Sequence, residues 1–330
     1  MEPRRMLIIR TGGLGDSLLL WPAVTAVRRR FPAAHISLMG ARARLLPLVC
    51  PGGADAAHEG EGSGLHLLMS AQPVLSLEAQ RFFGGFDTVV AFSAASDNQL
   101  AENLSLCGAA EVHAFLPLPP AGEPRHLADH LLDALRGVDL AREGQTPPLP
   151  VTAAAREAAA RRLGELGLEN RELLAILPGS GSAAKNWDAA HFATMAATLR
   201  EEGLAPILFE GPADRAAVAE TLAHLRPPTP PVLRDDPPLT LSGLFERCRL
   251  VIGNDSGPTH LAALLGRPTL VVFGPTDPRR YAPRGARVVV LRAGLPCSPC
   301  ADEQMHDCPE RECLRRVTPA EVLEAARRFL

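Results

Sequence analysis

An α/β chain made of two doubly wound halves is the fold this sequence predicts, and three observations predict it. Short apolar runs alternate with helical spacing through most of the 330 residues. Glycine-bearing polar turns follow the apolar runs, as they do where parallel strands end at a ligand rim. A proline-dense stretch without periodicity, Glu143-Gly144-Gln145-Thr146-Pro147-Pro148-Leu149-Pro150, divides the alternation into segments 1–150 and 151–330. The expectation is two doubly wound domains facing a central cleft.

In chain order, a strand is expected over 6–9, then the turn Thr11-Gly12-Gly13-Leu14-Gly15-Asp16. A single helix should run from it to Arg30, with Leu20, Val24, Val27 and Phe31 on one face. Two familiar phosphate loops fail at this turn. Walker A needs Gly-Lys-Ser/Thr, and Asp16 follows Gly15. The dinucleotide fingerprint needs a small residue where Leu18 stands. An acid at a helix start also opposes a bound phosphate, so the turn should do something else. Next come a strand at 35–39, a helix at 42–49, a buried strand at 88–92, a helix at 98–107, an extended segment at 112–116 and a helix at 126–136. Past the proline stretch, alanine-rich 153–166 is a strong helix by propensity.

The second half repeats the alternation. Strands are expected at 173–177, 206–209, 232–233, 250–252, 269–273 and 288–291, with helices such as 192–201 and 215–225 between them. A last helix, 319–330, carries Val322, Ala325, Ala326 and Phe329 on one face.

Composition narrows the function. The chain is 46% apolar with a net charge of -3, which suits real cores and gives no electrostatic footprint for nucleic acid. One tyrosine and few aromatics argue against base-stacking platforms. The opening MEPRRMLIIRTGG has too short an apolar run for a signal peptide or membrane span. Seven cysteines, an odd count, then point to reduced thiols and a cytoplasmic location.

The most specific chemistry lies in LVIGNDSGPTHLAALLGRPTLVVFGPTDP, residues 250–278. Pro258 suits the first helical position. Gly257 lets a ligand approach the backbone, and Asp255 or Ser256 can cap. The free N–H groups and the helix dipole make an anion site, and His260 in the first turn can point back at the same anion. A capped helix with a partly buried histidine is the plainer alternative. Three more polar turns follow strands. Pro178-Gly179-Ser180-Gly181-Ser182 leads to Lys185-Asn186-Trp187, where backbone donors and the ammonium suit a phosphate. Glu210-Gly211-Pro212-Ala213-Asp214 offers Glu210 or Asp214 to ribose hydroxyls, or either to a helix cap. Gly274-Pro275-Thr276-Asp277 is the third.

GGLGDSLLLWPAV, PGSGSAAKNW and IGNDSGPTHLAALLGRPTLVVFGPTDP resemble the motifs of the ADP-heptose:lipopolysaccharide heptosyltransferases, glycosyltransferase family 9. The likeness spans nearly the whole chain. It implies the GT-B architecture of two Rossmann-like domains, an N-terminal one toward the acceptor and a C-terminal one binding the nucleotide sugar. It implies an inverting transfer of heptose from ADP-heptose to a lipopolysaccharide-core acceptor, with no metal or other cofactor required for catalysis. The sequence has no Asp-X-Asp metal motif, in agreement. By this resemblance Asp16 matches the general base, Lys185 the lysine near the donor phosphates, and Ser180 with Gly181 the small residues ahead of it. Asp255, Ser256, Gly257 and His260 match the donor-binding helix start. Trp187 falls on the family's aromatic, while Asp188 stands where many members have proline. Gly12-Gly13 replace serines common before the Leu-Gly-Asp.

Alternatives stay open beside this reading. Asp16 can serve as a cap of the first helix rather than as a base. Two nucleotide-fold halves also suit an oxidoreductase or a non-catalytic nucleotide-sugar-binding protein. Cys297, Cys300, Cys308 and Cys313 form a loose match to a structural zinc set, against the plainer reading as free thiols. Cys50, Cys107 and Cys248 read as small core residues. Arg28, Arg29 and Arg30 favour a helix C-terminus. They also suit docking to an anionic membrane face, the peripheral contact that a lipid-linked saccharide acceptor calls for.

Overall fold

A computed structural model describes residues 2–330 apart from 71, 94–98, 121 and 301. The chain divides into two compact units, Met1–Pro150 and Val151–Leu330. The first contains β1 (Arg5–Arg10), α1 (Leu14–Leu18), α2 (Trp21–Arg30), β2 (His35–Gly40), α3 (Arg42–Leu45) and β3 (Ala56–Glu59). It continues through α4 (Leu77–Phe83), β4 (Thr88–Phe92), α5 (Gln99–Leu106), β5 (Glu111–Phe115) and α6 (Leu127–Gly137). Its sheet is parallel, in the order β3-β2-β1-β4-β5. The chain steps outward from β1 to β3 and returns to β4 on the other side of β1. That reversal makes a switch point at the carboxyl ends of β1 and β4, where ligands bind in open α/β sheets.

Three differences from the sequence expectation have physical causes. The single helix expected up to Arg30 is broken into α1 and α2. Pro22 has no N–H to give the preceding turn, so it can only start a new helix. The helix expected at 42–49 is α3 followed by a 3-10 turn at Leu46–Leu48, again where a proline, Pro47, intervenes. β3 was not expected: Ala56-Ala57-His58-Glu59 has no apolar run and becomes a strand by pairing along β2 from Ser37 to Gly40. Asn98, the first residue of the helix expected at 98–107, lies outside the described residues.

Segment 143–150 has no regular structure but is fastened down. Trp21 Nε1 donates to the Pro147 carbonyl at 2.7 Å and Arg29 Nη1 to the Gln145 carbonyl at 3.1 Å. Prolines offer carbonyls and no N–H, so their partners must be donors such as these on α2. The arginines that close α2 are occupied in the same way. Arg28 donates to the carbonyls of Pro32 and Ala34 and pairs with Asp55, and Arg30 pairs with Asp139. Their bonding is that of side chains holding the unit together, and no helix of the described chain is long and apolar enough to cross a membrane.

The second unit opens with α7 (Ala153–Glu165), β6 (Leu173–Leu177), α8 (Ala189–Glu201), β7 (Ala205–Glu210), α9 (Arg215–Ala223) and β8 (Val232–Arg234). Then come α10 (Pro238–Glu246), β9 (Cys248–Asn254), α11 (Gly257–Leu264), β10 (Thr269–Val272), α12 (Pro278–Tyr281) and β11 (Val288–Leu291). Three helices close it: α13 (Asp302–Asp307), α14 (Glu312–Arg315) and α15 (Pro319–Arg327). The six strands are parallel in the order β11-β10-β9-β6-β7-β8. Here the order reverses between β6 and β9, and Leu177 at the end of β6 sits beside Gly253 of β9. α10 escaped the sequence reading because its residues are nearly all apolar or small, leaving no polar face to reveal a helical period. α15 buries the expected face, Val322, Ala325 and Ala326, against a core that includes Trp187, Phe192, Leu199 and Leu270. Truncating such a leucine to alanine costs about 2–5 kcal/mol, so this core fixes the strand ends that carry the loops described next.

Candidate active site

In the second unit, parallel strands bring four polar turns to one rim. The turn after β6 crosses Gly179 to Ser182, tightens into a 3-10 turn at Ala183–Lys185, and enters α8 at Asp188. Asn254, fully buried at the end of β9, ties this loop at both ends. Its Nδ2 donates to the Pro178 carbonyl at 2.7 Å and its Oδ1 accepts the Trp187 N–H at 2.8 Å. Losing such a buried amide leaves two backbone groups unpaired, a cost of about 1–3 kcal/mol each.

α11 begins one residue past Ser256, its N-cap in extended conformation, and the Thr259 hydroxyl donates back to the Ser256 and Asn254 carbonyls. Pro258 fills the first turn, as its fixed φ allows. Asp255, just ahead of the cap, faces sideways. Its carboxylate accepts the Thr276 hydroxyl at 2.8 Å, and Lys185 Nζ lies 3.3 Å from the same oxygen and 3.0 Å from the Asp255 carbonyl. Lys185, the start of α11 and the turn after β10 therefore meet at one point. Both Lys185 and Asp255 are largely shielded, with side chains 20% and 9% exposed, so this pair is less screened than a surface ion pair. His260 is buried, its backbone N–H donating to the Ser256 carbonyl at 3.3 Å.

Ser180 shapes the loop, with Oγ 2.6 Å from Asn186 Oδ1 and 2.8 Å from the Ser182 carbonyl. Gly181 has φ +73°, the left-handed region open to glycine at little cost. Asp214 accepts the backbone N–H groups of Gly211 and Gly181, so it stitches the turn after β7 to the turn after β6. A Cβ on Gly179 would overlap Asp214 Oδ1, so only glycine passes there. Burial raises the Asp214 pKa, while those two N–H groups act in the opposite direction. Glu210 is buried at the side chain and accepts Arg234 Nε at 3.2 Å. In the last turn, Asp277 caps α12 and holds Arg279, which keeps the Asp277 carboxyl below its ordinary range.

In the first unit, Asp16 lies in the first turn of α1, off the carboxyl end of β1. Its Oδ2 accepts the Gly13 N–H at 2.8 Å, and its Oδ1 accepts Arg10 Nη2 at 2.8 Å. Gly12 has φ +133°, and a Cβ there would come within 2.7 Å of Asp16 Oδ2. The missing Cβ at Gly12 leaves room for the carboxylate to fold back on its own turn. Arg44 Nη1 donates to the Gly12 carbonyl at 2.6 Å.

The structure thus brings Ser180, Gly181, Lys185, Glu210, Asp214, Asp255, Ser256, Gly257 and His260 onto one sheet's rim, and sets Asp16 on the other sheet's rim. Trp187 goes elsewhere: it is a core side chain, its Nε1 donating to the Val317 carbonyl at 2.8 Å. Asp188 in place of proline caps α8 by accepting the Ala190 N–H at 2.9 Å. Asn254, Thr276, Arg10 and Arg44 were missed. Asn254 and Thr276 each stand beside a singled-out aspartate, and a polar side chain closing an apolar strand was the signal available.

Cys297, Cys300, Cys308 and Cys313 are free thiols. Burial, then the neighbouring thiols, raise the pKa values of Cys300 and Cys313. Among the described residues no three His, Cys, Asp or Glu side chains are grouped to hold a metal ion, so the zinc alternative has no arranged ligand set here.

Two doubly wound, parallel-sheet domains define a GT-B type of fold. The family model described as glycosyltransferase family 9 (heptosyltransferase) matches residues 123–309, more than half of the chain, and the chain belongs to that family. Lipooligosaccharide heptosyltransferase 2 of Campylobacter jejuni is 29% identical over 167 residues, which cover 48% of this chain and 51% of that relative. The chain thus spans about half the length of this curated relative. Among solved structures, the glycosyl transferase family 9 protein from Veillonella parvula has a TM-score of 0.79 at 20% identity, covering 99% of this chain and 97% of that one. The E. coli ADP-heptose lipopolysaccharide heptosyltransferase II has a TM-score of 0.75 at 20% identity, covering 98% of each chain.

Proposed function

We propose that this protein transfers heptose from ADP-heptose to a lipopolysaccharide-core acceptor, with inversion at the anomeric carbon and without a catalytic metal. The observation that carries the reading is the meeting of Lys185, Asp255 and Thr276 at the start of α11, on the switch point between β6 and β9. Family membership supports the reaction class, and the names of its relatives supply donor and acceptor. Membership favours this reading over an oxidoreductase or a non-catalytic binder.

In this reading the pyrophosphate takes its donors from the first-turn N–H groups of α11, from the loop at Ser180 and Gly181, and from the Lys185 ammonium. Charge builds on the leaving diphosphate as the sugar departs, and preorganised donors stabilise that charge most. His260 supports the first turn from within. Glu210 faces the ribose hydroxyls, and Asp214 holds the two loops together. Asp16 accepts the proton from the attacking hydroxyl, a role for which a carboxylate fixed at both oxygens is suited. The four tail cysteines serve as structural thiols. A lipid-linked acceptor places the protein at the inner face of the cytoplasmic membrane as a peripheral partner.

The test offers purified protein a panel of nucleotide sugars with lipopolysaccharide-core acceptor extract and follows release of nucleoside diphosphate. ADP release from ADP-heptose, dependent on acceptor and undiminished by chelator, is the expected result. Release from another nucleotide sugar alone, or none from any, rejects the assignment.

A further inference from the structure

Arg10 is the sole buried arginine or lysine among the described residues, 5% exposed at the end of β1. β2 and β4 flank it, with Phe92 as its register partner on β4. Its Nη2 reaches Asp16 Oδ1 at 2.8 Å, while its Nε is buried with no hydrogen-bond partner. Burial holds the guanidinium pKa below its ordinary value, with Asp16 opposing that effect. An arginine stays charged even so.

The arrangement is costly for what it gives the fold. Capping α1 requires one bond, and Asp16 Oδ2 already makes it with the Gly13 N–H. A second bond from a buried guanidinium carries a desolvation penalty, and an orphaned Nε adds to it. An apolar side chain at this strand end would fill the same space without either term. Locally unfavourable choices of this kind concentrate at working sites.

We propose that Arg10 is the positioning residue for proton transfer at Asp16, holding one carboxylate oxygen so that the side chain stays aimed at the acceptor hydroxyl. The inference rests on the reading of Asp16 as the base. A carboxylate offers about four acceptor sites. Arg10 and Gly13 take one on each oxygen, which leaves one on each for the incoming hydroxyl. In the step itself the acceptor O–H bond breaks and its oxygen bonds to the anomeric carbon. The bond from that carbon to the diphosphate oxygen breaks, ADP leaves with the electron pair, and Asp16 keeps the proton. Besides Asp16, the charged side chains bonded within this turn are Arg10 from β1 and Arg44 from α3.

The experiment measures heptose transfer from ADP-heptose against pH for the parent chain, Arg10→Met, Arg10→Lys and Asp16→Asn, with ADP affinity and melting alongside. Arg10→Met should transfer at least tenfold more slowly near neutrality. Its acidic limb should move up by about one pH unit, because a carboxylate without its cation binds protons more tightly. ADP affinity should stay within twofold. Arg10→Lys should move the limb less, since an ammonium is a single-point partner. An unmoved limb in Arg10→Met, whatever the rate, means a structural residue and overturns the proposal. If Arg10→Met fails to fold, Arg10→Gln, which keeps donors and loses the charge, takes its place, and an unmoved limb there overturns the proposal. Asp16→Asn separates the two readings. Transfer at the parent rate in that variant removes the base and this inference together, whereas inactivity there with an unmoved limb in the arginine variants removes Arg10 alone.

Discussion

Lys185 reaches Asp255 twice, its Nζ 3.0 Å from the backbone carbonyl and 3.3 Å from Oδ2. Thr276 holds the same carboxylate oxygen from the neighbouring turn. The ammonium is thus held against the residue that leads into α11. A diphosphate arriving there has to share the cation with Asp255, so the lysine is preplaced but not idle.

Lys185→Ala should weaken ADP binding by about 1–3 kcal/mol, the scale of one charge-assisted hydrogen bond. It should also lower the melting temperature, because Asp255 is left shielded with its main cationic partner gone. Calorimetry with ADP decides the first effect. Unchanged affinity would take Lys185 out of the donor site.

Gly179→Ala should destabilise the second unit by about 1–3 kcal/mol, since the new Cβ overlaps Asp214 Oδ1 and Asp214 is tied to two backbone N–H groups. Gly181→Ala makes the comparison. It meets nothing within 4 Å, so only its φ of +73° is strained, a cost of about 1–2 kcal/mol. Denaturant midpoints measure both. Equal or reversed losses would mean that Asp214 gives way easily.

These contacts show how much the sequence could tell. The alternation of apolar runs and helical spacing placed each second-unit strand to within a residue or two, because buried parallel strands are uninterrupted apolar runs. β3 was illegible because its residues become a strand only by lying along β2. The polar turns were legible as turns, and Lys185 and Asp255 as candidates. Their pairing was not, since it joins residues 70 apart through the order of strands in a sheet. The sequence offers Asp214 as a ribose acceptor or cap. In the fold its carboxylate also bonds two glycine N–H groups, and backbone donors leave no mark in a sequence. Arg10 read as the end of a strand, and its partnership with Asp16 depended on a fold-back that Gly12 permits.

Asp214 should also give stability a pH dependence. Its folded pKa is raised by burial above the ordinary 3.8, so the folded state holds the proton more tightly than the unfolded one. The contribution is then fullest on the acid side and is lost as pH rises through the window above 3.8. Relative to Asp214→Asn, which does not titrate, the parent should lose stability across that window. Urea midpoints of both proteins at several pH values check this, and a difference that grows toward neutrality in the parent's favour contradicts it.

The tail cysteines should behave as thiols. Seven thiols should titrate in denaturant, and in the folded protein the exposed Cys297 and Cys308 should react first. Cys50, whose pKa burial raises to about 11, should react far more slowly. Elemental analysis of protein purified without added metal should find no stoichiometric zinc. One tightly held zinc per chain would make the tail a metal site.

Asp16→Asn is the substitution that separates a base from a cap, and Arg10 changes how it must be read. Asn caps a helix about as well as Asp and cannot take a proton from a hydroxyl. Here, however, the carboxylate serves two donors at once, Gly13 N–H and Arg10 Nη2. An amide has one acceptor oxygen, so the asparagine introduced at this position must turn its NH2 toward one of them. The variant should therefore lose about 1–3 kcal/mol of stability from an unpaired buried donor, while sugar transfer falls by about two orders of magnitude or more. Arg10→Met combined with Asp16→Asn removes the unpaired guanidinium as well, and replacing both partners of a buried bond is close to neutral. The double variant should regain the parent's melting temperature and remain inactive, with ADP affinity unchanged. If it regained transfer along with stability, Asp16 would be a structural cap, and the proton would have to leave by another group.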